Sequence, residues 1–575
     1  MKSKKREQPP KTVAAPVWTF RWWHAAAGGL AALVAGLIVY GPALNGPFVF
    51  DDQSLPFFSP HFAEQPMLQA IRGVRPFLMF SFWADNHLAG TEPYLYHLFN
   101  LLFHVINSLL VFLIARKLIS WAGSEGRVRD LLAAFAGALY LLHPVQTEAV
   151  SYVASRSENL SAMFLLGAVA VFVLRRRMAV SWPVSLAILI LYGAAVSTKE
   201  HTVVLPVILL LIDYFWNPGF SFDGIRRNWK LYAPILAGGA LAAWSVARLL
   251  NSAPTAGFRV IGLPWHDYFY TQWRALWVYF RLFVLPFGQS ADYNYPIVRT
   301  PFDPWALAGL AGLLILLASA IFFRKRYPLA CFGFLTALVL FAPTSSVVPI
   351  MDAVTERRLY LPMLGLVLVA VELLRRWRAQ RQVVVGTAVA VLAVLAFLCY
   401  QRNEVWASNV TLWEDAVTKS PRNWRAHFQL GVAYYQQNRC DVAAREYETA
   451  AGLGKPDDRL YVDWANAEDC LGRPEEALEK LRMAVKIERR SVAFSQMAMI
   501  YGKQGKDAEA LAAIATALEL NPQEDMAYFY RGNLRIRSGD LAGAAADYGK
   551  ALEINPDNEQ ARRGLIRVQS RVPPQ

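Results

Sequence analysis

The chain has 575 residues, 55% hydrophobic and only 18% charged, with a mean hydropathy of +0.26. That balance excludes an ordinary soluble protein of this length and points to a membrane protein. The formal charge of +14 invites a nucleic-acid reading, but residues 401–575 hold 24 basic against 25 acidic groups while residues 1–400 hold 34 against 19. A basic excess confined to the apolar part is a topology signal, so no nucleic-acid partner is expected.

In chain order, Lys2, Lys4, Lys5, Arg6, Lys11 and Arg21 precede an apolar run at 24–43. Because further apolar segments follow, the run reads as a retained signal anchor rather than a cleaved signal peptide. Runs of spanning length recur near 98–115, 130–146, 158–174, 182–198, 201–216, 231–250, 304–323, 328–348, 358–374 and 383–400, about eleven in all. With the N-terminus in the cytoplasm, the basic loops at Arg116/Lys117, Arg175–Arg177, Arg226/Arg227, Arg324–Arg326 and Arg375/Arg376 share that side, and the odd count delivers residue 401 onward to the outside. The fold class expected is all-α: a polytopic helix bundle over 1–403, with a long first outer loop at about 44–97, followed by an α-solenoid.

The remaining basic residues, Arg72, Arg75, Arg156, Lys199, Arg248, Arg259, Arg274, Arg281, Arg299, Arg357 and Arg358, fall on or near the outer side. Snorkelling at a helix end explains Arg248, Arg259 or Arg299 equally well. Others sit beside carboxylates: Arg156 near Glu158, Lys199 next to Glu200, Arg357 and Arg358 after Glu356. Ionisable groups at membrane depth are functional candidates, and these cations suit a phosphate.

Asp51 and Asp52 follow the first span, where a carboxylate is suited to act as general base on an acceptor hydroxyl; such a pair equally caps or solvates a loop. Around it, by the same topology, lie Arg75, Tyr96, His97, Asn100, His104, His143, Glu148, Arg156, Glu158, Asn159, Lys199, Glu200, His201, Glu356, Arg357 and Tyr360. His97, Asn100 and His104 share a helical face and read equally as a structural stripe, and His143 before Pro144 equally as a cap. Residues 264–287 are aromatic-rich with Arg274 and Arg281 on one face, an interfacial helix that either guides a lipid-linked substrate or anchors.

Beyond 403 the sequence repeats every 34 residues: Phe494, Ala498, Tyr501, Ala510, Ala517 and Pro522 align with Tyr528, Gly532, Arg535, Ala544, Ala551 and Pro556. A half repeat at 404–423 leads into tetratricopeptide repeats at about 424–457, 458–490, 491–524 and 525–558, which stack into a superhelix with a concave groove. Cys440 and Cys470 lie at equivalent turns of adjacent repeats, and outside the membrane a disulfide between them is sterically open. Cys331 and Cys399 sit in apolar runs as buried thiols.

The segments GPFVFDDQ, YHLFNLLFHVINSLLVF, HPVQTEAVSYVASRSENLSAMFLL, KEHTVVLPVILLLIDY, YFRLFVLPFGQSADYNYP, TERRLYLP and VWASNVTLWEDAVTKSPRNWRAHFQLGVAYY, in this order, resemble the transmembrane and tetratricopeptide-repeat glycosyltransferases of the GT-C class, whose eukaryotic members are protein O-mannosyltransferases. The resemblance implies an inverting transferase that moves mannose or a similar hexose from a polyprenyl-phosphate carrier to an acceptor hydroxyl at the outer face. By it, Asp51 and Asp52 map to the catalytic pair, and Arg75, His97, His143, Arg156, Glu158, Lys199, Glu200, Arg357, Arg358 and Tyr360 to the surroundings of donor phosphate and sugar. The partners are then the lipid-linked donor, an acceptor protein or peptide along the repeat groove, and membrane lipids. The alanine-rich composition points to a bacterial inner membrane with the repeats in the periplasm. No cofactor is firmly indicated; a divalent metal held by Asp51, Asp52 and Glu158 is the less favoured arrangement. The alternative function is a non-catalytic membrane scaffold or polysaccharide-assembly subunit that docks partners through its repeats.

Overall fold

The computed structural model describes residues 22–59, 62, 64–73, 75–239, 256–454 and 457–570. The N-terminal basic cluster through Arg21, together with Arg248 and the second half of the 231–250 run, lies outside the described residues. Those described form helices and turns, with one isolated antiparallel bridge between Ala256 and Ile350.

The membrane part comprises α1 (Trp22–Leu44), α2 (Pro76–Ala89), α3 (Pro93–Trp121), α4 (Gly126–Leu142), α5 (Arg156–Leu174), α6 (Trp182–Val196), α7 (Leu205–Trp216), α8 (Trp265–Val284), α9 (Pro304–Phe322), α10 (Pro328–Phe341), α11 (Met363–Arg376) and α12 (Arg381–Val405). Proline in the first turn starts α2, α3, α6, α7, α9 and α10, where its missing N–H leaves no helical bond unmade.

The structure does not clearly bear out about eleven spans. Among the described residues five helices are long and apolar enough to cross a membrane, or six if α4 and the bent continuation Pro144–Ser151 count as one. The other apolar runs do fold as helices, but 12 residues in α7, 14 in α11 and 15 in α6 fall short of a ~30 Å hydrocarbon core at ~1.5 Å per residue. Polar turns shorten them, and those turns carry the candidate site.

Burial separates centre from rim. The best window of the Val153–Leu174 span is 72% buried, against 17% in α9 and 11% in α12. The rim presents Ile38, Ile315, Val389 and Phe397 outward, a surface that hydrocarbon would cover. At the heart, α3 packs against α1, α4 and α5, while α10 packs against α11.

The loops sort to two ends. At one end the basic loops interlock: Arg175 pairs with Asp213 at 3.6 Å, Arg324 donates to the Tyr214 hydroxyl, and Arg375 donates to the Ala122 carbonyl. At the other, the turns after α1 and α4 and before α11 bond to one another, and the first and last of them meet the repeats through Phe50 against Trp413 and Asp352 against Arg425.

The repeat part opens with α13 (Asn409–Lys419) and runs through the pairs α14 (Trp424–Gln436)/α15 (Cys440–Leu453), α16 (Asp458–Cys470)/α17 (Pro474–Ile487), α18 (Ser491–Lys503)/α19 (Asp507–Leu520) and α20 (Asp525–Arg537)/α21 (Leu541–Ile554), closed by α22 (Glu559–Gln569). The small residue at the repeat position is a steric need. A Cβ on Gly431 would lie 2.6 Å from the Tyr447 ring, and one on Gly532 2.7 Å from Tyr548. Cys440 and Cys470 form a disulfide that joins the first repeat to the second across a Cα–Cα distance of 6.2 Å. Cys331 and Cys399 are buried free thiols.

Candidate functional site

Phe50–Ser54 form a single 3₁₀ turn just after α1, and the two aspartates on it meet opposite fates. Asp52 is fully buried: one carboxylate oxygen accepts from the Ala154 amide at 2.6 Å, the other from the Val49 amide at 3.0 Å. Burial pushes its carboxyl up to about 7, against the downward pull of the Val49, Ala154 and Val153 amides. Asp51 is exposed, and its carboxylate makes no hydrogen bond or ion pair with a described residue. Its backbone amide donates to the Tyr152 hydroxyl at 3.0 Å. Asp52 therefore latches the turn and Asp51 is what the turn presents.

Behind Tyr152 stand three cation–carboxylate pairs. The Arg357 guanidinium lies 5.9 Å from the Tyr152 ring and donates to Glu148 at 2.5 Å, while the Arg357 amide donates to the other Glu148 oxygen at 3.0 Å. Lys199 donates to Glu158 at 2.6 Å and to Ser157 at 3.1 Å, with His201 Nε2 3.4 Å from the second Glu158 oxygen. Arg75 holds Glu200 bidentately, both bonds at 2.9 Å. The three cations share one neighbourhood: burial, then the charges of Arg75 and Arg357, lower the Lys199 ammonium against the upward pull of Glu158. None is fully enclosed, with Arg75, Lys199 and Arg357 side chains 36%, 18% and 22% exposed. Arg75 Nη1, one Lys199 N–H, and Arg357 Nε and Nη2 make no hydrogen bond to a described residue. The carboxylates fix these groups while leaving donors to spare.

Other sequence candidates are drawn into the framework instead. Arg156 is fully buried, paired with Asp85 and donating to Asn100 at 2.7 Å and the Tyr96 carbonyl at 2.8 Å. All three of its guanidinium nitrogens are bonded inside the fold, so the structure puts Arg156 within the helix framework, apart from the cations with spare donors. Arg358 donates from Nη1 to the Ala353 carbonyl and the Tyr268 hydroxyl and from Nη2 to the Asp352 carbonyl, while its Nε makes no hydrogen bond to a described residue. His143 accepts from the Val145 amide as a helix cap, and its other ring nitrogen sits 3.0 Å from the Phe283 carbonyl. His97 is buried against the Gly46 carbonyl. The Tyr360 hydroxyl lies in a buried network with His104, Asn107 and Asn159 at 2.8–2.9 Å, so Tyr360 is framework too. The metal trio is not assembled, because Asp52 faces backbone amides and Glu158 faces Lys199. Among the described residues no group of three or more His, Cys, Asp or Glu side chains is placed to hold a metal ion.

Sequence reasoning did not single out Tyr152, although it stands within the quoted SYVASRSEN segment, nor Asp85, whose only signal was that a buried arginine needs an anion. It also missed the joint to the repeats. There Arg425 bonds Asp292 at 2.5 and 2.6 Å and Asp352 at 2.7 Å, and Lys419 donates to the Gln289 carbonyl at 2.5 Å. Burial opposes the charges of Asp292 and Asp352 at Arg425, and the charges win, raising it.

Comparison with known proteins bears on both parts. Residues 410–458, 428–491 and 496–559 match the tetratricopeptide repeat family. Protein O-mannosyl-transferase F38B6.6 of Caenorhabditis elegans is 22% identical over 74% of this chain and 62% of its own length, and human protein O-mannosyl-transferase TMTC3 is 23% identical over 92% and 64%. The homologues are TMTC-family protein O-mannosyl-transferases. The chain spans about three fifths of the length of these curated relatives. A thermophilic tetratricopeptide protein of Thermus thermophilus is a solved structure 21% identical to this chain, covering 32% of it and 95% of its own chain at a TM-score of 0.26.

Proposed function

We propose that the protein is an inverting membrane glycosyltransferase of the GT-C class. It moves mannose or a similar hexose from a polyprenyl-phosphate carrier to a protein hydroxyl at the membrane face that bears the repeats. The observation that carries this reading is the Asp51 carboxylate, without a hydrogen-bond or ion-pair partner among the described residues, on a backbone whose amide donates to Tyr152, the ring that Arg357 lies against in the neighbourhood it shares with Lys199 and Arg75. Asp51 accepts the proton of the acceptor hydroxyl as its oxygen attacks the anomeric carbon. The bond from that carbon to the phosphate oxygen breaks on the opposite face, and its electron pair leaves with the polyprenyl phosphate. The spare N–H donors of Arg75, Lys199 and Arg357 meet the charge that grows on the leaving phosphate, and Glu148, Glu158 and Glu200 keep those donors aimed. The names of the relatives support a protein acceptor.

The Cys440–Cys470 disulfide supports an oxidising side for the repeats, and the basic loops at the far end support a cytoplasmic one there. With the alanine-rich composition, these observations support a bacterial inner membrane with the repeats in the periplasm.

The test uses the full chain in lipid nanodiscs with polyprenyl-phosphate mannose and a Ser/Thr-containing peptide. Release of polyprenyl phosphate and the peptide mass gain are followed together. Asp51→Asn is expected to lower transfer by roughly 10²–10⁴-fold at unchanged protein yield. Full activity in that variant, or a wild type that transfers nothing to peptide or membrane proteins, would favour a docking scaffold instead.

A further inference from the structure

A cavity of about 450 Å³ lies where the first loop meets the concave face of the repeats. Phe50 and Asp51 form its membrane-side wall, Phe428 of α14 and Asp463 of α16 its opposite walls, with Asp458 and Arg459 at the rim. Its charges do not balance. Asp458 is 3.3 Å from Arg490, and Arg459 donates to Asp457 at 2.7 and 2.9 Å, so those cations are taken. The carboxylates of Asp51 and Asp463 have no hydrogen-bond or ion-pair partner among the described residues. Burial, with Asp457 adding and Arg459 only partly opposing, pushes the half-buried Asp463 up to about 7. A second hollow of about 550 Å³ is lined by Ala498, Phe529, Tyr530, Asn533 and Arg537, on the first helices of the later repeats. The first helices of successive repeats therefore carry two hollows, of which the one nearer the membrane part includes Asp51.

We propose that this cavity is the acceptor subsite and that Asp463 selects polypeptide segments carrying a lysine or arginine close to the hydroxyl to be modified. The inference rests on the transferase reading above. A basic side chain lays its methylene stem along Phe50 and Phe428 and sets its head against Asp463. That leaves the neighbouring hydroxyl facing Asp51, the unpaired carboxylate on the other wall. An acidic residue in the same place meets two uncompensated carboxylates and is rejected.

The test uses three peptides of one length, each with a single threonine flanked by lysine, alanine or glutamate, on the full chain in nanodiscs with polyprenyl-phosphate mannose. Wild type is expected to favour the lysine over the glutamate peptide by roughly tenfold or more in kcat/KM. Asp463→Asn should bring that ratio close to one, and Asp463→Lys should invert it. Equal use of the three peptides by wild type, or an unchanged ratio in both variants, would overturn the proposal. Binding of the same fluorescent peptides without donor separates the two readings. Lysine-selective, Asp463-dependent binding with no transfer sinks the transferase and keeps the subsite. Transfer with no selectivity in either measurement does the reverse.

Discussion

Asp51 and Asp52 are neighbours with the same side chain, and only their surroundings separate the proposed base from the latch. Burying Asp52 between two backbone amides raises its affinity for a proton on folding, to about 7 from an ordinary 3.8. The stability this contributes is complete below the unfolded value and is lost as pH rises through about 7, at about 1.4 kcal/mol per pKa unit. In thermal scans at a fixed rate, wild type is therefore expected to lose Tm relative to Asp52→Asn between pH 4 and pH 8. A Tm difference that stays flat over that range would show that Asp52 is already ionised in the fold. The sequence named both aspartates and most of the charges around them, because acids and cations next to apolar runs are conspicuous. What it did not reveal is pairing. Arg156 and Arg357 look alike as residues, yet Asp85, Asn100 and the Tyr96 carbonyl engage all three Arg156 nitrogens while Arg357 keeps Nε and Nη2 without a hydrogen bond to a described residue. That difference depends on α2 and α3 coming together, and no local pattern encodes it.

At the scale of elements, the apolar runs were legible as helices and their lengths were not. Hydropathy averages across a break such as His143–Pro144, where the axis turns by 50°, and so joins into one span what the backbone divides. The repeats were easier, since a 34-residue period repeats the same packing demand. The membrane helices carry an equally steric demand at one crossing. A Cβ on Gly333 of α10 would lie 2.5 Å from the Gly365 carbonyl oxygen and 2.9 Å from the Leu368 side chain, so α10 and α11 touch backbone to backbone. The turn bearing Glu356 and Arg357 leads directly into α11. Gly333→Val is thus expected to destabilise by about 1–3 kcal/mol and to reduce transfer, although it alters no polar group. Gly386→Ala in α12, where an added Cβ meets nothing within 4 Å, should leave both unchanged. A Gly333→Val protein with normal Tm and full transfer would show that the crossing is slack.

For the whole molecule, charge counting located the division between a basic apolar part and a neutral repeat part. It did not locate how the two are fastened, because the fastening joins Arg425 to Asp292 and Asp352, residues far apart in sequence. Around that contact, Asn423 donates to the Asp292 carbonyl at 3.4 Å, Asn294 donates to the Arg422 carbonyl at 3.2 Å, and the Arg425 guanidinium lies 5.6 Å from the Phe50 ring. The same arginine thereby touches the turn that presents Asp51 and the first helix of the groove that opens onto it. If the groove delivers the acceptor, the joint sets where the hydroxyl arrives while the donor pairs beside Tyr152 stay in place. Arg425→Ala is expected to lower kcat/KM for a long peptide by tenfold or more, an estimate scaled to the loss of one well-held charge pair at roughly 1.4 kcal/mol per decade. Slow release of polyprenyl phosphate to water should change far less, and limited proteolysis should cut sooner between α12 and α14. Asp292→Ala should produce the same pattern, and the double variant should be no worse than either alone, since both changes undo one contact. Additive losses in the double variant, or an equal fall in release to water, would mean that Arg425 serves the chemistry itself rather than the alignment of the two parts.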